Sequence, residues 1–275
     1  MVRVEMLAVG RELLIGRTVN TNAQWLGARL ARKGSRLAEI TTIDDDLAEI
    51  ASGLKGCLAR EPDFLIVVGG LGPTPDDMTL KGVARGTGKR LRINGGALAL
   101  IKEHYEGRNL SGIEMTPART KMAMLPTGAA PIRNASGTAP GVRLVIGPTA
   151  IFCLPGVPSE MKRIFRDSVE PLIFKRLGRL SRKYVRMTVE GIYESALAPL
   201  IAQELKLHAG AYIKSHPRGI REGKSRIELD VAVVKKDEKG AYKSISMIVG
   251  EIKRGIKAEG GKVVSETGPD EQRKS

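Results

Sequence analysis

A glycine turn at the end of an apolar strand constrains this chain most. Gly69-Gly70-Leu71-Gly72-Pro73-Thr74-Pro75-Asp76-Asp77-Met78-Thr79 follows Phe64-Leu65-Ile66-Val67-Val68. That short, β-branched run reads as a buried strand. Lys81 to Arg85 can then start a helix. Open α/β sheets take ligands at such carboxyl ends of strands. Gly69, Gly70 and Gly72 let the main chain approach a phosphate or a ring. Asp76, Asp77 and Thr79 supply oxygen ligands and a helix cap, and Thr74 joins the ligand-facing residues. The plain alternative is an ordinary strand-to-helix turn with an aspartate cap.

Strand and helix alternate through the first part of the chain. Val2–Val9, Leu37–Ile43 and Phe64–Val68 read as strands, and Thr21–Lys33 and Leu47–Leu58 as helices. Asp44, Asp45 and Asp46 are candidate caps for the second helix. Met78–Thr87 and Gly95–Tyr105 are helical candidates. Leu144–Ile146 and Ala150–Leu154 pair across Gly147-Pro148, and Ser159, after Pro158, caps a helix running to Arg176. The alternation predicts an α/β domain with a mainly parallel sheet and helices on both faces, over residues 1–175. From Tyr184 the order becomes β-α-β-β-α-β, the split pattern of a ferredoxin-like α+β module over 183–265. Residues 266–275 are polar and read as a disordered tail.

The net charge of +15 divides unevenly, with +6 over residues 1–174 and +9 from Lys175 onward. An anionic partner is expected, nucleotide or nucleic acid. The alternative is a solvated lysine- and arginine-rich surface. The loop His216–Arg226 is the candidate nucleic-acid contact, but it has no aromatic for base stacking, so nucleic acid is the weakest reading. Cys57 and Cys153 lack the spacing of a disulfide framework or zinc site, which suggests a reducing cytoplasm. No apolar stretch approaches the roughly 20 residues that span a bilayer, so no membrane partner is expected.

Three further segments resemble ligand loops. Gly10-Arg11-Glu12 follows the first strand, and Asn20-Thr21-Asn22 opens a helix whose free N–H groups suit an anion. Glu12 can take a ribose hydroxyl or an exocyclic amine; Asn20 or Asn22 can equally be only the cap. The small-residue loop holding Gly137 and Thr138, and the run Leu154-Pro155-Gly156-Val157-Pro158-Ser159-Glu160, each allow close approach. Parallel strands bring Glu12, Asp44 and Asp77 to one sheet edge. Clustered carboxylates there suggest a divalent cation, with Asp44, Asp76 and Asp77 as ligands. The alternative is a run of helix-start charges.

Taken in order, Gly10–Asn22, Gly69–Thr79, Gly137–Gly141 and Leu154–Met161 resemble the CinA family and, more broadly, the molybdopterin-binding domain of MogA and MoeA. The resemblance covers residues 1 to about 175 densely and the rest weakly. It implies a three-layer α/β/α domain. In MogA-like proteins this site binds molybdopterin and helps adenylylate it; Asp77 matches one functional aspartate there and Asp44 the other. In CinA-like proteins the domain is associated with ADP-ribose pyrophosphatase activity that needs Mg²⁺, Mn²⁺ or Co²⁺, often beside a nicotinamide mononucleotide amidase domain. These 275 residues show no counterpart of the amidase. Leu71 stands where MogA-like proteins usually carry Thr, which leans the resemblance toward CinA. A small nucleotide substrate and a homo-oligomer are the implied partners.

Overall fold

The computed structural model describes residues 2–106 and 114–268, in two compact units. The first comprises residues up to Ala31 and Ser35–Leu177; the second comprises Gly178 onward with Arg32–Gly34. The first unit begins β1 (Val4–Val9), α1 (Arg11–Leu14), α2 (Thr21–Ala31), β2 (Leu37–Ile43), α3 (Leu47–Leu58), β3 (Phe64–Val68) and α4 (Thr79–Thr87). It continues through β4 (Leu91–Ile93), α5 (Gly95–Glu106), α6 (Pro117–Lys121), β5 (Met124–Pro126), β6 (Ala130–Ile132), β7 (Gly141–Ile146) and β8 (Thr149–Leu154). It closes with α7 (Pro158–Ile164), a π-helical stretch Phe165–Val169 and α8 (Glu170–Leu177).

The main sheet has the order β2-β1-β3-β8-β7-β6. β2, β1, β3 and β8 run parallel; β7 is antiparallel to β8 and to β6. Every residue of β1 and β3 is buried, which explains why both read as continuous apolar runs. Leu7, Val9, Leu65 and Val67 pack with Ile50 and Leu54 of α3 and Val83 of α4. On the other face Met6, Ala8, Ile66 and Phe152 pack with Leu26 and Leu30 of α2 and with Met161 and Phe165. This is the expected three-layer α/β/α arrangement. From β1 the chain steps to β2 on one side, and β3 lies on the other, so a topological switch point falls between the carboxyl ends of β1 and β3.

Asp46 is the cap of α3, accepting from Ala48 N at 2.7 Å and Glu49 N at 3.1 Å. Ser159 does not cap its helix: Pro158 takes the first turn and Val157 stands at the cap with no side-chain bond. Proline's fixed φ starts the helix earlier, with the cap two residues before the serine. The expected single helix to Arg176 also carries the π-helical stretch in its middle.

Glu5 breaks the apolar run of β1, yet its side chain is fully buried. Arg3 Nε donates to it at 2.6 Å and Arg60 Nη2 at 2.7 Å. Burial works to raise its pKa; the bonds from Arg60 and Arg3 outweigh that and hold it below the ordinary glutamate range. A depressed folded-state pKa stabilises the fold above the unfolded value, about pH 4.3, and that contribution is lost as pH falls through the folded value. Glu5→Gln is expected to cost about 1–3 kcal/mol at neutral pH and to flatten this acid limb. Denaturant midpoints measured across the acid range check both; an unchanged limb would refute the assignment.

The second unit contains β9 (Ser181–Glu190), α9 (Glu194–Leu207), β10 (Tyr212–Arg221), β11 (Lys224–Lys235), α10 (Glu238–Ala258) and β12 (Lys262–Glu266). Its antiparallel order β10-β11-β9-β12 is the expected ferredoxin-like one. Two expectations change. The segment His216–Arg226 is not a loop but a β-hairpin, turning at Glu222-Gly223, both at positive φ. Pro217 and Gly219 suggest a loop in sequence; β10 is an edge strand, where proline is tolerated. Glu266 of the expected tail ends β12 opposite Met187, whereas residues 269–275 lie outside the described residues. No helix among the described residues is long and apolar enough to cross a membrane.

Candidate functional site

The glycine turn is built around two left-handed residues. Gly69 has φ +113° and Gly70 φ +63°, and a Cβ on Gly69 would overlap the Val9 carbonyl oxygen. Gly69 N donates to Leu154 O at 3.0 Å. Thr79, fully buried, ties down both carbonyls: its Oγ1 donates to Gly69 O at 2.7 Å and its N to Gly70 O at 3.1 Å. Among the described residues the N–H groups of Gly70, Leu71 and Gly72 have no acceptor. Three consecutive main-chain donors are thus left available to an acceptor such as an anion.

Asp77 does not cap α4. The cap position is Met78, with no side-chain bond, and Asp77 Oδ2 instead turns back to accept from Thr74 N at 2.9 Å and Thr74 Oγ1 at 2.6 Å. Lys121 braces the same residue, its ammonium donating to the Thr74 carbonyl. Burial lowers the Lys121 pKa, and Asp77 and Asp76 oppose that. Asp76 is held below the usual carboxylate range by the nearby Thr74, its own main-chain N–H and the Lys121 ammonium. Lys121 lies 47 residues from Thr74, and sequence reading missed it.

Opposite this turn stands the N-terminus of α2. Asn20 is its cap, Oδ1 accepting from Ala23 N at 2.9 Å. Asn22 does something else. Its Nδ2 donates to Gly156 O at 2.8 Å, which leaves Oδ1 buried without any partner. Gly156 approaches Gly69 closely, so that a Cβ there would lie 3.5 Å from the Gly69 Cα. The Glu12 carboxylate folds over Gly10, within 2.5 Å of where a Cβ would stand. A cavity of about 300 Å³ results, bounded by Gly10, Glu12, Asn20 and Asn22 on one side and by Gly69, Gly70, Asp76 and Asp77 on the other. It sits at the switch point between β1 and β3.

Asp45 lines that cavity; Asp44 does not. Arg11 Nε holds Asp44 at 3.0 Å and 3.1 Å. Hydrogen bonding with Asp45 and Arg11 keeps Asp44 below the usual carboxylate range, while Asp44 and burial push Asp45 above it. Asp44, Asp76 and Asp77 are therefore not assembled as the sequence suggested. Among the described residues no three carboxylate, imidazole or thiol side chains form a metal-ligating group. The expected ligand set does not fit a divalent cation as it stands.

The remaining candidates lie mostly outside this cavity. Gly72 lines a second hollow of about 320 Å³ that shares Gly70 and Asp77 and is walled by Met78, Met122 and Met124. Gly137 and Thr138 line a separate one of about 370 Å³ with Arg133 and Asn134. Asn134 organises that loop: Nδ2 donates to Ala139 O and to Glu160 Oε2, at 2.8 and 2.7 Å, and Oδ1 accepts from Ser136 N and Gly137 N. Glu160 is thereby a support beneath Gly137. Pro155 is buried directly after β8 and sets the approach of Gly156.

Residues 5–175 match the family model described as "Probable molybdopterin binding domain". The chain belongs to the molybdopterin-binding domain family. Within that family it is similar to the protein CinA from Thermoplasma acidophilum: 40% identity, TM-score 0.58, covering 62% of this chain and 98% of that one. A protein of Metallosphaera sedula is 42% identical over 83% of this chain and 84% of its own. One of Pyrobaculum arsenaticum is 37% identical over 94% and 97%. The Pyrobaculum arsenaticum match, over 260 residues, runs beyond residue 175 and so reaches into the second unit.

Proposed function

We propose that the first unit binds a phosphate-bearing nucleotide at the glycine turn and hydrolyses a nucleoside diphosphate sugar of the ADP-ribose type. The buried, partnerless Asn22 Oδ1 carries this reading, on a residue lining a cavity whose opposite wall includes Gly70 with its unpaired N–H. A buried acceptor left empty is costly, so the ligand should supply an N–H or O–H group. Phosphate oxygens would accept from the N–H of Gly70, which lines this cavity, and a ribose hydroxyl or ring amine would donate to Asn22. Asp77 Oδ2 is engaged with Thr74, which leaves Oδ1 to receive a proton from water. Water oxygen bonds to one phosphorus, the bridging P–O bond breaks, and the products are AMP and ribose 5-phosphate.

A second reading is binding of a pterin such as molybdopterin without hydrolysis. The family match favours it, and a pterin ring with its phosphate offers the same donors and anion. The two part on one assay: AMP release from ADP-ribose, with chelator and with added Mg²⁺, Mn²⁺ or Co²⁺. Release in any condition supports hydrolysis. Binding without release under all of them leaves the pterin reading. In either case Asn22→Leu is expected to weaken ligand by about tenfold or more, because the buried acceptor is lost.

A further inference from the structure

The sheet of the second unit has a face that the site above does not use. Val185, Met187, Ile227, Leu229 and Val231 pack against α9 and α10. Strand alternation turns the even-numbered residues to the opposite face. Register aligns them in rows: Tyr184–Ala232–Tyr212, then Arg186–Asp230–Lys214, then Thr188–Glu228–His216. A row with the exposed Tyr212 at one end and the buried Tyr184 at the other thus adjoins a row in which Arg186 and Lys214 flank Asp230. The segment His216–Arg226 has no aromatic of its own; the fold sets Tyr212 and Lys214 immediately beside it.

Asp230 is the acid under this face, and it is fully occupied. It is 8% exposed, accepts from Tyr184 Oη at 2.6 Å and from Arg186 Nε at 2.7 Å and Nη2 at 3.0 Å, and has His216 Nε2 at 3.4 Å. Its charge fixes Arg186 and Tyr184 rather than opposing an incoming anion. Glu228 is likewise taken by Arg218 at 2.7 Å. The outward groups are Tyr212, 55% exposed, and Lys214, with the Arg186 and Arg218 side chains 43% and 55% exposed. Arg221 and Lys224 extend the basic character to the hairpin tip.

We infer that this sheet face binds single-stranded nucleic acid, with Tyr212 stacking on a base and Lys214, Arg186 and Arg218 taking backbone phosphates. Charge complementarity calls for a polyanion, and the exposed ring among the cations calls for one that carries planar bases. An acidic peptide would use the cations and leave Tyr212 idle.

The test is fluorescence anisotropy with labelled oligo(U) and oligo(dT) on the full chain, across a salt series. Saturable binding at low salt, weakening as salt rises, is expected. Tyr212→Ala should weaken it about tenfold with the salt slope unchanged. Lys214→Ala should lower the slope by about one ion. Both side chains are exposed, and thermal melts confirm that the variants fold. The inference fails if no saturable binding appears at low salt, or if Tyr212→Ala binds as tightly as wild type. It fails equally if polyglutamate competes as well as oligonucleotide, or if ADP-ribose displaces the oligonucleotide, which would put binding in the first unit's cavity.

Discussion

Asp77→Asn is expected to lower AMP release from ADP-ribose by about 10²–10⁴-fold while the protein keeps its melting temperature. The two halves of this expectation have different causes. Asp77 Oδ2 accepts both Thr74 N and Thr74 Oγ1, and an asparagine oxygen accepts the same pair, so the turn stays closed. What the amide cannot do is take a proton from water at the other position. Asp77→Ala removes both functions and should additionally loosen the turn, leaving Thr74 held only through its carbonyl, by Lys121 and by the main-chain N–H of residue 77. Turnover and thermal melting of the two variants separate the roles. An asparagine variant with undiminished turnover would reduce Asp77 to a brace.

Gly69→Ala is expected to have the largest effect on stability. At φ +113° the backbone is strained for any side chain, and the new methyl group would overlap a main-chain oxygen that cannot swing away. Strain and overlap together should cost about 3–5 kcal/mol, or roughly 10 °C in melting temperature for a unit of this size. Gly16→Ala is the control. Gly16 also has positive φ, +70°, but nothing lies within 4 Å of its Cβ position, so only the backbone penalty of about 1 kcal/mol remains. Equal losses in the two variants would show that the close approach of Val9 and Gly69 contributes nothing.

The first unit was legible in sequence where burial is complete. β1 and β3 announce themselves because both faces are covered, and α3 because Asp46 precedes an apolar stripe. The turn Gly69–Thr79 was legible as a ligand loop from its position after β3. Its internal wiring was not. Asp77 and Asp76 look alike as caps, and only the folded turn shows that Asp77 closes on Thr74. The choice between Asp44 and Asp45 depends on which carboxylate Arg11 engages. Asn22 reads as a cap because its real partner, Gly156, is 134 residues away. His216–Arg226 reads as a loop because proline and glycine interrupt it, and edge position, which permits both, is a property of the sheet.

The central claim is that the cavity between Asn22 and the glycine turn is where a nucleotide binds. Calorimetric titration of ADP-ribose into the wild-type protein and into Asn22→Leu tests it most directly. One site per chain, weakened about tenfold or more in the variant at unchanged melting temperature, is the expected result. Equal affinity in the two proteins would contradict the claim.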